Sequence, residues 1–405
     1  MSKQKSLGIS HPVGVLHEIR WIEICPWLIL VRSLRVALLV RVLFLAYLGV
    51  LLTQIGWAVL GSLSAENPVE LQRFTDTVPQ LPHWESLSHP NTYTEYRNNP
   101  LFRAWNLLSQ PLTEMNDPTI TWRTAFILIS SACWAIAIWS IFGGAIARIS
   151  AMQLTRGETL GLVSALKSAT TVFLGTAGAP LIALLGAAAL SIPLLFAGLL
   201  IRLDFMAMLT GLAWIFVLTW GAMCAVVLIG LLFGWPLMWA TLAIERSDAF
   251  DAISRCYAYV YQRPLQLFFY LMVAGLLGCF GETAVHYFAI ASVNLADWAI
   301  SWGSGSQRAA DMILMASEEN DSVTGMAATG AQAMHFWKQT WLGIAASYPV
   351  AYLWSTFVGI YLLLRRHVDS TEMDEITLTQ QDPFQGLPEL QKNEIGLPEV
   401  KEGSN

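Results

Sequence analysis

Apolar and polar residues come in long blocks along this chain, and six of the apolar blocks are of bilayer length. They run from Val42 to about Leu60, Ala125 to Ile146, Leu174 to Leu200, Met208 to Trp235, onward from Leu265, and from Trp341 to Leu364. About 20 helical residues cross a hydrocarbon core about 30 Å thick, so the pattern predicts six transmembrane helices. The first follows Pro26 to Val40, which is apolar yet carries Arg32 and Arg35. That stretch reads as an interfacial lead-in, with Arg41 snorkelling to the headgroups.

The connections differ in kind. Gly61 to Thr121 holds Pro68, Pro79, Pro82, Pro90, Pro100, Pro111 and Pro118 and more acids than bases, the composition of an external loop. Within it Phe102, Trp105, Leu107 and Leu108 predict one short helix packed on the outer face. A second external segment, about 302–338, is rich in Gly, Ser, Ala and Met. Its methionines suit adaptable packing better than metal binding. Two further connections, about 147–167 and 244–264, are basic, amphipathic elbows. In the second, Asp248 and Asp251 supply an acidic helix start. Phe250, Ile253, Tyr257, Val260 and Tyr261 recur at three and four, forming an aromatic stripe. Asp251 and Arg255 are spaced for a helical ion pair worth about 0.2–0.5 kcal/mol when exposed. Arg263 before Pro264 ends the helix. The expectation is a helix lying in the membrane plane between two spans.

The run from Trp235-Pro236-Leu237-Met238 through Asp248-Ala249-Phe250-Asp251-Ala252-Ile253-Ser254-Arg255 to Tyr259-Val260 and Arg263-Pro264 resembles uncharacterised bacterial polytopic membrane proteins. More distantly it is similar to the membrane domain found beside some glycerophosphodiester phosphodiesterases. The resemblance implies a multi-spanning helical domain in a bacterial inner membrane. It implies no activity, because the family supplies no catalytic residue to carry over and the soluble segments here leave no room for the phosphodiesterase domain.

An offset of 90 residues aligns the two elbows: Arg156 falls on Arg246, Glu158 on Asp248, Leu160 on Phe250, Val163 on Ile253 and Ser164 on Ser254. Internal duplication and chance likeness of two amphipathic helices both account for this. Duplication predicts that the two units superpose as span, elbow, span. Gly175, Gly178, Ala179, Ala183, Gly186 and Ala187 thin the wall of the third span, and Pro180 and Pro193 can kink it, so this helix is expected at the bundle centre. Gly230 and Gly234 prepare close packing late in the fourth.

Composition adds that 55% of the 405 residues are hydrophobic, 13% charged and 17 are tryptophan, which requires lipid. The net charge of −6 belongs to the tail: nine acids and two lysines follow His367, leaving the body at +1. This tail, 367–405, reads as disordered. Its repeat, Gly386-Leu-Pro-Glu-Leu and Gly396-Leu-Pro-Glu-Val, is either a bivalent docking motif for a protein partner or low-complexity drift. Nothing at the start reads as a cleaved signal peptide. Cys25, Cys133, Cys224, Cys256 and Cys279 form no CxxC pair and read as small hydrophobes. Nucleic-acid binding finds no basic patch.

Lysine and arginine cluster before the first span, in both elbows and at Arg365-Arg366, which sets both termini in the cytoplasm. Trp57, Trp122, Trp298, Trp302 and Trp341 fall near the outer interface, and Trp21, Trp27, Trp235 and Trp239 near the inner one. The expected fold is an all-α integral membrane protein. It comprises 1–41 as a cytoplasmic and interfacial segment, 42–366 as a six-helix transmembrane bundle with cytoplasmic amphipathic elbow helices, and the tail. Candidate chemistry is sparse. Glu282 and His286, one turn apart near the outer end of the fifth span, can pair, relay a proton or supply two metal ligands. Two ligands are too few for a site, so no metal or cofactor is expected. Without a catalytic motif the chain reads as a non-enzymatic component organising lipid or partner proteins, or as a transporter of a small or lipidic molecule.

Overall fold

The computed structural model describes residues 25–64, 99–115, 120–305, 307–309, 312, 325–376, 390–392 and 398–400. The stretch before Cys25, most of the proline-rich loop, most of the second external segment and much of the tail lie outside the described residues. So do the sequence expectations placed on them. After a 3-10 turn at Pro26–Leu28 come α1 (Ile29–Ala37), α2 (Val40–Ser64), α3 (Pro100–Glu114), α4 (Trp122–Thr155), α5 (Leu162–Thr171) and α6 (Phe173–Leu200). There follow α7 (Asp204–Leu212), α8 (Trp214–Glu245), α9 (Ala249–Gln262), α10 (Pro264–Ser304), α11 (Met326–Ala346) and α12 (Tyr348–Val368). Six stretches among the described residues are long and apolar enough to cross a membrane: α2, α4, α6, α8, α10, and α11 with α12. The protein is an all-α, multi-pass membrane bundle.

α2 and α4 form an antiparallel hairpin. Arg41 donates to Gln153 Oε1 at 3.2 Å and to the Leu160 carbonyl at 2.8 Å. Further along, the Trp134 indole donates to Leu52 O and that of Trp57 to Ser131 O, each at 3.0 Å. Arg41 is therefore neither a snorkelling flank nor an isolated charge; it ties α2 to the first elbow.

α12 is the axis, buried from Tyr348 to Arg365 without interruption. Around it the sequence expectation needs two corrections. α1 packs on the bundle rather than lying apart from the spans: Ser33 Oγ is 3.3 Å from Thr356 Oγ1 and Leu30 lies over Gly359, both of α12, and Leu34 lies over Gly281 of α10, while Arg32 and Arg35 stay exposed. α3 is the helix expected in the first external loop, capped by the Asn99 side chain on Leu101 N. Rather than resting on an outer face, it inserts between α4, α10 and α12, where Pro100 meets Gly278 and Tyr352.

Both elbows double back along the span before them instead of lying across its end. α4 runs on to Thr155, so 147–155 belongs to the span, and Gly157 then turns the chain with φ +70°. α5 returns to set Ala169 on Gly144. α8 ends at Glu245, Arg246 turns the chain with φ +55°, and α9 returns with Cys256 and Val260 over Gly234 and Tyr257 over Gly230. Tyr257 Oη donates to Val227 O at 3.0 Å, and Tyr261 Oη donates to Val226 O. The two glycines thin the wall of α8, so α9 buries its face on protein rather than on the membrane surface. That face is Ala252, Cys256, Tyr259 and Val260. It sits slightly round from the expected stripe, of which Phe250 and Tyr261 are exposed and Ile253 and Tyr257 half-buried. Gly144 and Gly234 stand 90 residues apart, so the two units share a path. Their elbow helices have 10 and 14 residues, so the correspondence stops about one turn short of equal length.

α6, expected at the bundle centre, instead leaves the bundle with α8 as a hairpin, because its small residues serve contact with α8 and α9 near its start and the rest of the helix is bare. The Trp220 indole donates to Leu190 O at 2.8 Å, while Ile192, Leu195, Phe196, Ile215, Phe216 and Leu218 are exposed, as lipid-facing residues are. Ile376 joins the core, and Leu390–Lys392 pairs antiparallel with Pro398–Val400, Leu390 opposite Val400, at the ends of the tail repeat.

Candidate functional site

The elbow end of the bundle gathers most of its polar chemistry. Asp248 caps α9 by accepting from Asp251 N at 2.8 Å, and Arg255 Nε donates to both carboxylate oxygens of Asp251 at 2.9 Å. That bond is the main reason the Arg255 guanidinium is held even more firmly protonated than usual. Arg263 is the exposed C-cap, and α10 begins at Pro264. Arg255 also lies 4.0 Å from Asp369, which accepts from Tyr259 Oη. Burial first, and then the Asp369 carboxylate, push the Tyr259 phenol above its ordinary range. Burial likewise pushes the Cys256 thiol up to about 12, leaving an inert packing group.

This cluster continues into a buried charge pair that sequence reasoning missed. Arg365 was expected as a positive flank closing the last span. It is 2% exposed, its Nη1 2.5 Å from Glu245 Oε1 and its Nη2 donating to the carbonyls of Glu372 and Glu375 at 2.9 and 2.7 Å. Tyr361 Oη donates to the same Glu245 oxygen at 3.3 Å. The one available signal was Glu245 itself, an acid closing a span of otherwise apolar residues.

Glu282 acquires a partner that no local spacing could announce. Arg103 of α3 pairs with it at 2.7 Å, so the inserted loop helix brings a counter-ion to this stretch of α10. There His286 stands edge-on to Tyr287, ring centroids 5.9 Å apart. The pair fixes α3 in the bundle. A double-mutant cycle with Arg103→Gln and Glu282→Gln, read by unfolding in detergent, is expected to give a coupling of about 1–2 kcal/mol. A coupling near zero would mean that the apolar contacts of α3 hold it alone.

Trp235 and Trp239, expected at the inner interface, are in the interior. With Trp105, Trp139 and Trp354 they form one aromatic cluster spanning four helices. Trp57 is also buried, whereas Trp122, Trp298, Trp302 and Trp341 are exposed. Among the described residues no three His, Cys, Asp or Glu side chains are grouped as metal ligands.

The other polar feature is a cleft between the two span-and-elbow units, where Arg148 of α4 and Arg246 at the end of α8 line one space with Ser168, Thr176 and Trp239. The arrangement as a whole clamps helices and presents cationic donors at one end of an apolar bundle. The chain matches no family model, no curated protein and no solved structure.

Proposed function

We propose that this is a non-enzymatic component of a bacterial inner membrane, with both termini cytoplasmic, that organises lipid or partner proteins. The observation carrying the reading is a filled centre: α12 is buried along its length, and Trp354 is packed among three other indoles where a transport path would need space. The bare hairpin of α6 and α8 gives the same protein a large apolar surface for lipid or a partner. The resemblance of the Trp235–Pro264 region to uncharacterised polytopic proteins agrees with the placement and adds no activity. The acidic tail is the segment suited to a protein partner.

The alternative is transport of a small or lipidic molecule. It draws on the shared path of the two units and on Pro180 and Pro193 inside α6. Reconstitution separates the two readings. Purified protein in liposomes is expected to retain bound lipid, measured by native mass spectrometry, while moving neither trapped solutes nor labelled lipid between leaflets. Protein-dependent movement of either would replace the organising reading with the transport one.

A further inference from the structure

We propose that the cleft between the two span-and-elbow units binds a phosphate group, held by Arg148 and Arg246 and by the hydroxyl of Ser168. The proposal deepens the organising reading, and rests on it, by naming the ligand chemistry. Arg148 is 4% exposed and donates through Nη1 to the Ala243 carbonyl at 2.6 Å. Arg246 faces the same space. Its Nη2 donates to Ser168 O at 3.0 Å, Ser168 Oγ at 2.8 Å and Thr171 Oγ1 at 3.1 Å, all neutral acceptors. Its Nε is buried with no hydrogen-bond partner among the described residues. Burial also holds the Arg246 guanidinium below its ordinary pKa, as expected of a cation short of compensating charge.

An anion in this half-buried space is stabilised by the two guanidiniums that line it. Guanidinium forks and a hydroxyl donor are the groups that match tetrahedral phosphate oxygens. The Ser168 hydroxyl accepts from Arg246, and among the described residues its own hydrogen has no acceptor, so it remains available to a ligand. The left-handed backbone of Arg246 is a further sign that this side chain is placed for a purpose, since a non-glycine residue there carries strain. The enclosed part of the cleft is about 10 Å³, room for a water, within about 230 Å³ that includes the open mouth. The phosphate therefore sits at the mouth. Because the cleft lies at the elbow end of the spans, the source is either a lipid headgroup or free phosphate.

The test uses the full chain in a non-ionic detergent, with inorganic phosphate and a short-chain phosphatidic acid as separate probes. Trp239 lines the cleft, so tryptophan fluorescence and thermal stability report binding. Saturable binding is expected. Arg246→Gln should weaken it at least about tenfold and Ser168→Ala several-fold, while Arg32→Gln, at an exposed position of α1, leaves it unchanged. If Arg148→Gln does not fold, the other two variants decide the matter. Tighter binding of the phosphatidic acid assigns a lipid headgroup, and equal binding assigns free phosphate. No saturable response to either probe, or an undiminished one in Arg246→Gln, overturns the site. Lipid or solute movement in liposomes would instead overturn the organising reading and leave the phosphate site standing.

Discussion

Replacing Arg365 by glutamine is expected to destabilise the purified protein by about 3–5 kcal/mol, because it leaves the partly buried Glu245 carboxylate without its counter-ion and two carbonyls without their donor. Arg365 joins three parts of the chain. One nitrogen of its fork engages Glu245 at the end of α8, and the other engages the carbonyls of Glu372 and Glu375 beyond α12. Glutamine is too short to serve both sides and carries no charge, so among the described residues Glu245 would keep only the Tyr361 hydroxyl. Residues 369–376 should detach as well, since Arg365 is what turns them back towards Ile376's place in the core. Unfolding in detergent measures the first effect, and limited proteolysis between Asp369 and Ile376 measures the second. Arg365→Lys should recover only part of the loss, because an ammonium lacks the planar fork. Glu245→Gln should cost at least as much, since it leaves the Arg365 guanidinium, 2% exposed against 21% for Glu245, buried without its counter-ion. Full stability of Arg365→Lys would show that charge alone, not the forked geometry, secures this end.

What could be read from the sequence, and what could not, divides along a physical line. Block polarity separates water from oil, so the six spans were legible. Local spacing determines caps and helical pairs, so Asp248, the Asp251–Arg255 pair and the boundary at Arg263 and Pro264 were legible too. Polarity does not separate lipid from protein interior, since both are apolar. That is why the packing of α1 on the bundle went unread, and why Trp235 and Trp239 were assigned to interfaces although they are packed inside it. The same gap hid the insertion of α3 and the Arg103–Glu282 and Arg365–Glu245 pairs, which join residues far apart in sequence. α12 did carry a usable sign. Tyr348, Tyr352, Ser355 and Thr356 place hydroxyls along an apolar helix, and hydroxyls facing lipid would go unmatched. Inside the bundle Tyr352 finds Ala274 O at 2.7 Å, and Ser355 finds Ser150 at 3.0 Å. A span that is hydroxyl-bearing on several sides belongs in the middle. The elbows misled for a related reason: an amphipathic helix can bury its face on a membrane or on its own preceding span, and Gly230 and Gly234 were the residues that decided between them.

Trp354→Ala is the second substitution expected to act strongly, by about 3–5 kcal/mol, through an empty space where four helices meet. The Trp354 ring is stacked on Trp139 with centroids 6.1 Å apart, and it meets Trp239 at 5.1 Å and Trp235 edge-on at 5.7 Å. Trp235 in turn carries Trp105 of α3 at 4.9 Å. Aromatic pairs of this geometry contribute about 0.5–1.5 kcal/mol each beyond the area they bury, so one truncation removes several at once. Gly143 makes the site unable to collapse cheaply. A Cβ there would lie 2.7 Å from Trp354 Cε2, which shows that α4 is already as close to the indole as its backbone allows. Removing the ring should therefore lower the melting temperature and erase much of the near-ultraviolet circular dichroism of the coupled tryptophans. Trp122→Ala, at a position 94% exposed, should change stability by less than about 0.5 kcal/mol. The same variant bears on function, because it opens a void in the centre that the organising reading requires to be filled. If Trp354→Ala remains folded and still moves no solute, the indole is a packing residue; if it becomes leaky, Trp354 is the plug of a path and the transport reading gains its gate.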